Sequence, residues 1–232
     1  LIDLNFGCPV RKVLGRCRGG YLLTVPRTAL DIVKSVLDHV GGRRPVTLKM
    51  RRGYDDSAES ERNFFTILDG AYDLGVDSVT VHGRSVEQRY VGPSNREFLG
   101  RVKRHVGART LLGSGDVFTP EDVPTIMQET GVDGVWVARG AIGNPFIFRE
   151  IRALLEGRPL PPPPSIQEQG ATLREHAGFA APIYGADRVG LVMRKFCIRY
   201  ADLHPCRDEV RRTFITASGP EDFEAGLRRW YD

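Results

Sequence analysis

The feature that most constrains this chain is an alternation. Five short apolar, β-branched runs, Ile2 to Phe6, Val46 to Met50, Ser78 to Val81, Thr110 to Leu112 and Gly134 to Ala138, are separated by stretches with helical spacing. None of the five alternates cleanly between apolar and polar, as strands covered on both faces do not. In "PRTALDIVKSVLDHVGG", Leu30, Val33, Val36, Leu37 and Val40 recur at three and four, one stripe of a helix that Gly41-Gly42 ends. Phe64, Ile67, Leu68, Ala71 and Leu74 repeat the pattern before Gly75. Thr119-Pro120-Glu121-Asp122 reads as a third helix start: an N-cap, a proline in the first turn, then acids at the positive end of the dipole. Gly131 closes that helix. Strand, helix, strand, repeated, predicts a parallel α/β fold.

A doubly wound sheet and a (β/α)₈ TIM barrel both satisfy the alternation. The position of the chemically active residues favours the barrel. Asn5 to Pro9, Lys49 and Arg51, His82 and Arg84, Ser114 to Asp116, and Arg139-Gly140 all fall at carboxyl ends of strands, where barrels assemble their sites. Five strands cannot close a barrel, and Leu1 begins inside a strand-like run with neither methionine nor leader. The expectation is a partial barrel of about five carboxy-terminal strand–helix units, with three strands missing upstream. "RPLPPPPS", residues 158 to 165, reads as a stiff linker. Beyond it only helical periodicity remains, at about 166–183, 185–201, 207–217 and 220–231. The expected organisation is a catalytic barrel domain over 1–157, the linker, and a small all-helical domain over 166–232.

Composition excludes little. No apolar run approaches the roughly eighteen residues of a membrane-crossing helix. The four cysteines, Cys8, Cys17, Cys197 and Cys206, form no CxxC pair and no metal spacing, so free thiols in the cytoplasm and no bound metal are expected. The net charge of +4 fits an anionic partner only weakly.

Several positions carry candidate chemistry. Cys8 sits between Gly7, which permits a tight turn, and Pro9, which stiffens it, so its side chain can be aimed. It reads as a structural thiol, as a nucleophile lacking a local base, or as a general acid. A free thiol of pKa about 8.5 is mostly protonated at neutral pH yet able to release its proton. "GSGDV" (113–117) and "ARGAIGNP" (138–145) place glycines at strand ends, where exposed N–H groups bind phosphate or simply cap helices. Arg139 adds a forked donor. Lys49 in a barrel mouth needs a partner: a flavin's polar edge, a phosphate or a carboxylate would each serve. His82 is a core histidine or faces a ligand, and Tyr90 stacks on a base or packs on the rim.

Together "DLNFGCPVRKV", "LKMRRGYDD", "VHGRSVEQRYVG", "GSGDV" and "ARGAIGNPFIFREI" resemble, in order and spacing, the tRNA-dihydrouridine synthases. "LVMRKFCIRYADLHP" with "VRRTFI" is similar to the helical domain of that family's bacterial branch. The resemblance covers nearly the whole chain. It implies a barrel that uses FMN, recharged by NADPH, to reduce the C5–C6 double bond of selected uridines in tRNA, with a helical tail that helps hold the RNA. Carried over by position, Cys8 would protonate C5 and Asn5 would help hold the uracil. Lys49 and His82 would contact the flavin ring. Ser114, Gly115, Asp116, Ala138 and Arg139 would line its phosphate and ribityl site. Arg84 would lie near substrate or flavin, with Tyr90, and Arg194 and Lys195 of the tail would meet RNA.

Two positions depart from the family: Ser114 stands where asparagine is usual, and Ala138 where glycine is usual. Backbone donors would tolerate both changes. Extracting a uridine from its stack costs a few kcal/mol, which phosphate contacts offset. Arg11, Lys12, Arg16 and Arg18 surround the Cys8 loop, and Arg188, Arg194, Lys195, Arg199, Arg211 and Arg212 punctuate the tail. Acids such as Glu168, Glu175, Asp187, Asp202, Asp208 and Glu209 dilute that charge. Two other readings share parts of the pattern. One is an FMN barrel acting on free pyrimidines, like the dihydroorotate dehydrogenases, which would not need the basic tail. The other is a non-catalytic RNA-binding remnant, which would bind tRNA and stay colourless. No segment points to a protein partner.

Overall fold

The computed structural model describes residues 1–232 as two compact units: residues 1–117 with 121–137, and residues 118–120 with 138–232. The units divide between Val137 and Ala138, ahead of the proline run at which the sequence places the division.

The first unit is α/β. Strands β1 (Ile2–Phe6), β2 (Val46–Arg51), β3 (Ser78–His82), β4 (Leu111–Ser114) and β5 (Gly134–Trp136) form one parallel sheet in the order β1-β2-β3-β4-β5. Each strand therefore pairs with its neighbours in sequence, through helical crossovers. A short helix α1 (Arg11–Leu14) and a 3₁₀ turn (Gly19–Thr24) precede α2 (Pro26–Val40); α3 (Ala58–Leu74), α4 (Arg96–Val106) and α5 (Asp122–Thr130) follow the next strands. β3 is buried along its whole length, as expected of a strand covered on both faces.

Local chemistry sets the ends. Pro26 opens α2, and Gly41 closes it in the left-handed region at φ 54°. Ser57 caps α3 by accepting from Ser60 N, and Asn95 caps α4 by accepting from Phe98 N. Phe64 of α3 packs edge-on against Phe98 of α4, ring centroids 5.0 Å apart, over a core that includes Ile67, Leu68 and Val102. Three expectations change. Leu74, the last residue of α3, is exposed. The third helix, α5, begins at Asp122 with Glu121 in the N-cap position, later than the Thr119-Pro120 start the sequence suggests. The strands reach one or two residues further than the apolar runs at β2, β3 and β4, because Arg51, His82 and Ser114 pair within the ladder.

The second unit carries helices α6 (Ile147–Leu155), α7 (Ile166–Tyr184), α8 (Val189–Tyr200), α9 (Arg207–Ile215) and α10 (Pro220–Tyr231). A capping box starts α7: Ser165 Oγ accepts from Glu168 N, and Glu168 accepts from Ser165 N at 2.8 Å. Leu173, Met193, Cys197, Val210, Phe214, Phe223, Leu227 and Tyr231 form its core. Burial pushes the Cys197 thiol up to about 12, so it remains protonated and inert. Gly185, at φ 92°, ends α7 one residue later than the periodicity suggests and leaves 186–188 to a 3₁₀ turn before α8.

Candidate active site

β1 ends at Phe6, and the next residues form a turn fixed at three backbone points. Asn5 Oδ1 accepts from Gly7 N at 3.0 Å. Gly7 O accepts from Arg51 Nε at 3.0 Å. Cys8 O accepts from Gly20 N at 3.0 Å. Cys8 itself is half-buried. Glycine is required opposite it: a Cβ on Gly19 would lie 2.9 Å from Cys8 Cβ, and Gly19 sits at φ 60°. Because Asn5 Oδ1 accepts within the turn, its amide NH₂ is the end left to donate.

The strand register lines up the remaining groups. Asn5 pairs with Lys49, and one step on, Arg51, His82, Ser114 and Trp136 form a row across β2 to β5. Lys49 and Arg51, two residues apart, share a face. Burial first, then the Arg51 cation, lowers the Lys49 pKa to about 8, with Asp3 opposing. Lys49 makes no ion pair; its Nζ lies 5.9 Å from the centre of the Trp136 ring. Burial, then the charges of Arg51, Lys49 and Arg84, lowers His82 to about 3, against the opposing pull of Asp116. His82 is therefore neutral at physiological pH. Arg84 Nη1 lies 3.4 Å from His82 Nε2, which makes Nε2 the acceptor and Nδ1 the protonated nitrogen.

Arg84 is committed to protein partners. It is 3% exposed. It grips both carboxylate oxygens of Asp116 at 2.6 and 2.7 Å and donates through Nε to Gly92 O at 2.9 Å. Asp116, at φ 54°, also accepts from Ser94 N at 2.7 Å. Ser114 O accepts from Gly83 N and Ser94 Oγ, so the Ser114-Gly115-Asp116 loop is tied to the segment after β3. Gly115 adopts φ 120°, and a Cβ there would lie 2.4 Å from Ser94 Oγ.

A family model described as dihydrouridine synthase (Dus) matches residues 1–230. The chain belongs to the dihydrouridine synthase family. It is 33% identical over 232 residues to tRNA-dihydrouridine synthase B of Xanthomonas campestris pv. campestris, covering all of this chain and 68% of that protein. It is 34% identical over 232 residues to the Serratia marcescens protein of the same name, again covering all of this chain and 68% of the relative. A probable tRNA-dihydrouridine synthase of Mycobacterium tuberculosis is 33% identical over 229 residues, 98% of this chain. The chain spans 58% of that mycobacterial relative's length.

In this dihydrouridine synthase family member the structure brings Asn5, Cys8, Lys49, His82, Arg84, Tyr90, Ser114, Gly115 and Asp116 into the first unit. Ala138, Arg139, Arg194 and Lys195 belong to the second. There the Arg139 guanidinium stacks on Phe118 at 5.0 Å. Arg139, Asn144 and Arg199 line a cavity of about 410 Å³. On α8, Lys195 is exposed, its Nζ 4.8 Å from the Phe196 ring centre, and Arg194 is half-buried. Two residues outside the expected site set now matter. Arg51 is placed by the sequence at a strand's carboxyl end beside Lys49, without a role. Ser94, which ties down Asp116, carries no signal in the sequence.

Proposed function

We propose that this chain reduces the C5–C6 double bond of uridines in tRNA, with FMN as cofactor and NADPH as electron donor, in the cytoplasm. On this reading the five-strand sheet is part of a (β/α)₈ barrel, and the helices from Ile166 onward form a tRNA-binding domain. The observation that carries the proposal is the Cys8 turn, a half-buried thiol fixed at three backbone points in a member of this family. The relatives' names supply tRNA as the substrate class.

The donor set fits a flavin. Lys49 is a half-buried cation with no carboxylate in ion-pair contact, and His82 is a neutral imidazole with a protonated Nδ1. Both suit an acceptor-rich ring edge. Gly115 bares the backbone of the loop assigned to the phosphate and ribityl chain, beside Ser114 and Asp116. When bound, FMN supplies hydride transfer from NADPH to C6 of the uracil. The protein's own contribution is the proton: the Cys8 thiol gives its hydrogen to C5 and recovers one from water, so the sum is uridine, NADPH and a proton to dihydrouridine and NADP⁺. Asn5 offers its amide NH₂ to a uracil carbonyl. Arg84 acts through Asp116 on the loop and does not touch the ring. Arg194 and Lys195 meet RNA phosphates.

The test incubates the purified protein with FMN, NADPH and an unmodified tRNA transcript and counts dihydrouridine by mass spectrometry, with free uracil as the control. Product on tRNA alone is the expected result. Product on free uracil would replace tRNA by a pyrimidine substrate. tRNA binding without flavin would make the chain an RNA-binding protein.

A further inference from the structure

We propose that Arg51 is the positioning residue for Cys8: a buried guanidinium that locks the thiol's turn to the loop of residues 85 to 91. The proposal rests on the reading of Cys8 as the proton donor. Arg51 is 3% exposed and forms no ion pair with a carboxylate. Its donors go to backbone carbonyls in two separate segments and to the Tyr90 side chain. Nε donates to Gly7 O at 3.0 Å, while Nη1 donates to Ser85 O at 2.9 Å and Arg89 O at 2.7 Å. The Tyr90 ring centre lies 5.3 Å from its Cζ.

Burying a cation against neutral carbonyls is costly, so its geometry has to matter. A planar fork can serve two directions at once, and here one edge faces the residue before Cys8 and another faces the loop. Gly7 N is already held by Asn5, so the Gly7–Cys8 peptide cannot rotate without breaking the Arg51 bond. At the other end, Arg89 is a non-glycine residue in the left-handed region, φ 51°, a strained conformation that needs outside support. Its carbonyl is one that Arg51 holds. The loop also reaches the thiol turn by packing: a Cβ on Gly20 would lie 2.5 Å from Val86 Cγ2, and Gly20 N bonds Cys8 O. Turn and loop are therefore joined through Arg51 on one side and Val86 on the other.

Arg51→Lys keeps the charge and removes the fork, so it separates position from electrostatics. In single-turnover reactions of the reduced flavoprotein with tRNA, uridine reduction should slow about tenfold or more, while flavin reduction by NADPH and the KM for tRNA stay unchanged. In a Cys8→Ala background the same change should add nothing, because Arg51 acts through the thiol. Losses that multiply in the double variant overturn the proposal. A second readout needs neither flavin nor tRNA: iodoacetamide labelling of Cys8 relative to the exposed Cys17, mapped by mass spectrometry. Arg51→Lys, and independently the milder Val86→Ala, should each raise the Cys8-to-Cys17 ratio severalfold as the turn loosens. An unchanged ratio in both overturns the proposal whatever the activity. Normal dihydrouridine formation by Cys8→Ala alone would instead overturn the proton-donor reading, and the labelling would still decide the hold of Arg51 on the turn.

Discussion

Lys49 ties the site to pH at the scale of a single residue. With its pKa lowered to about 8, it is charged below that pH and neutral above it, whereas an ordinary lysine stays charged to about 10.4. A charged hydrogen bond to a ligand acceptor contributes roughly 1.5–3 kcal/mol. FMN affinity should therefore hold steady near neutrality and fall about tenfold or more as pH rises through about 8. Flavin fluorescence quenching at a series of pH values checks this, and a profile flat to pH 10 would show that Lys49 does not face the ligand. His82 cannot produce such a change, because at about 3 it has lost its proton long before. For Cys8→Ala, retained FMN and normal reduction by NADPH are expected, with most dihydrouridine formation lost. Mass spectrometry of the tRNA would sink the assignment by finding a normal yield. The sequence names these groups but not their partners. Arg84 binds Asp116, 32 residues away, and Arg51 binds Gly7, 44 residues away. No local pattern encodes pairings at that separation.

At the scale of elements, packing overrides propensity in an instructive pair. Gly178 lies on the exposed face of α7, and a Cβ there would meet nothing within 4 Å, so Gly178→Ala should stabilise the protein by about 0.5–1 kcal/mol. Gly190 lies in α8, where a Cβ would come within 2.0 Å of Gly219 O; Gly190→Ala should destabilise by about 1–3 kcal/mol despite alanine's better helix propensity. Thermal unfolding of the two variants should move in opposite directions, and movement in the same direction would refute the packing argument. The strands and the helices α2 and α3 are legible because the apolar stripe agrees with a start signal, Pro26 in α2 and Ser57 before α3, and with a closing glycine over fifteen or more residues. Helix α4, not named from the sequence, carries the same signals: Asn95 and Gly107 bracket it, and Phe98, Leu99, Val102 and Val106 form a stripe at helical spacing among six charged or basic residues of its eleven. The end of α5 is legible in Gly131, while its start lies at Asp122, two residues past Pro120.

For the molecule as a whole, the two units divide the proposed labour between chemistry and RNA. Arg194→Ala with Lys195→Ala should weaken tRNA binding without loss of flavin, and flatten the dependence of log K on log salt by about one per phosphate contact removed. Binding isotherms at several salt concentrations check this; an unchanged slope removes α8 from the RNA interface. The sequential strand order has a further consequence, for synthesis. As the chain leaves the ribosome, each of β2 to β5 finds a partner in the strand made just before it. The thiol turn is an exception. Cys8 leaves the ribosome unclamped, because the carbonyls of Ser85 and Arg89 that complete the Arg51 clamp follow it by almost eighty residues. The nascent chain therefore carries its reactive sulfur unsecured for roughly 4–16 seconds at ordinary elongation rates, the interval in which oxidants have their freest access to it.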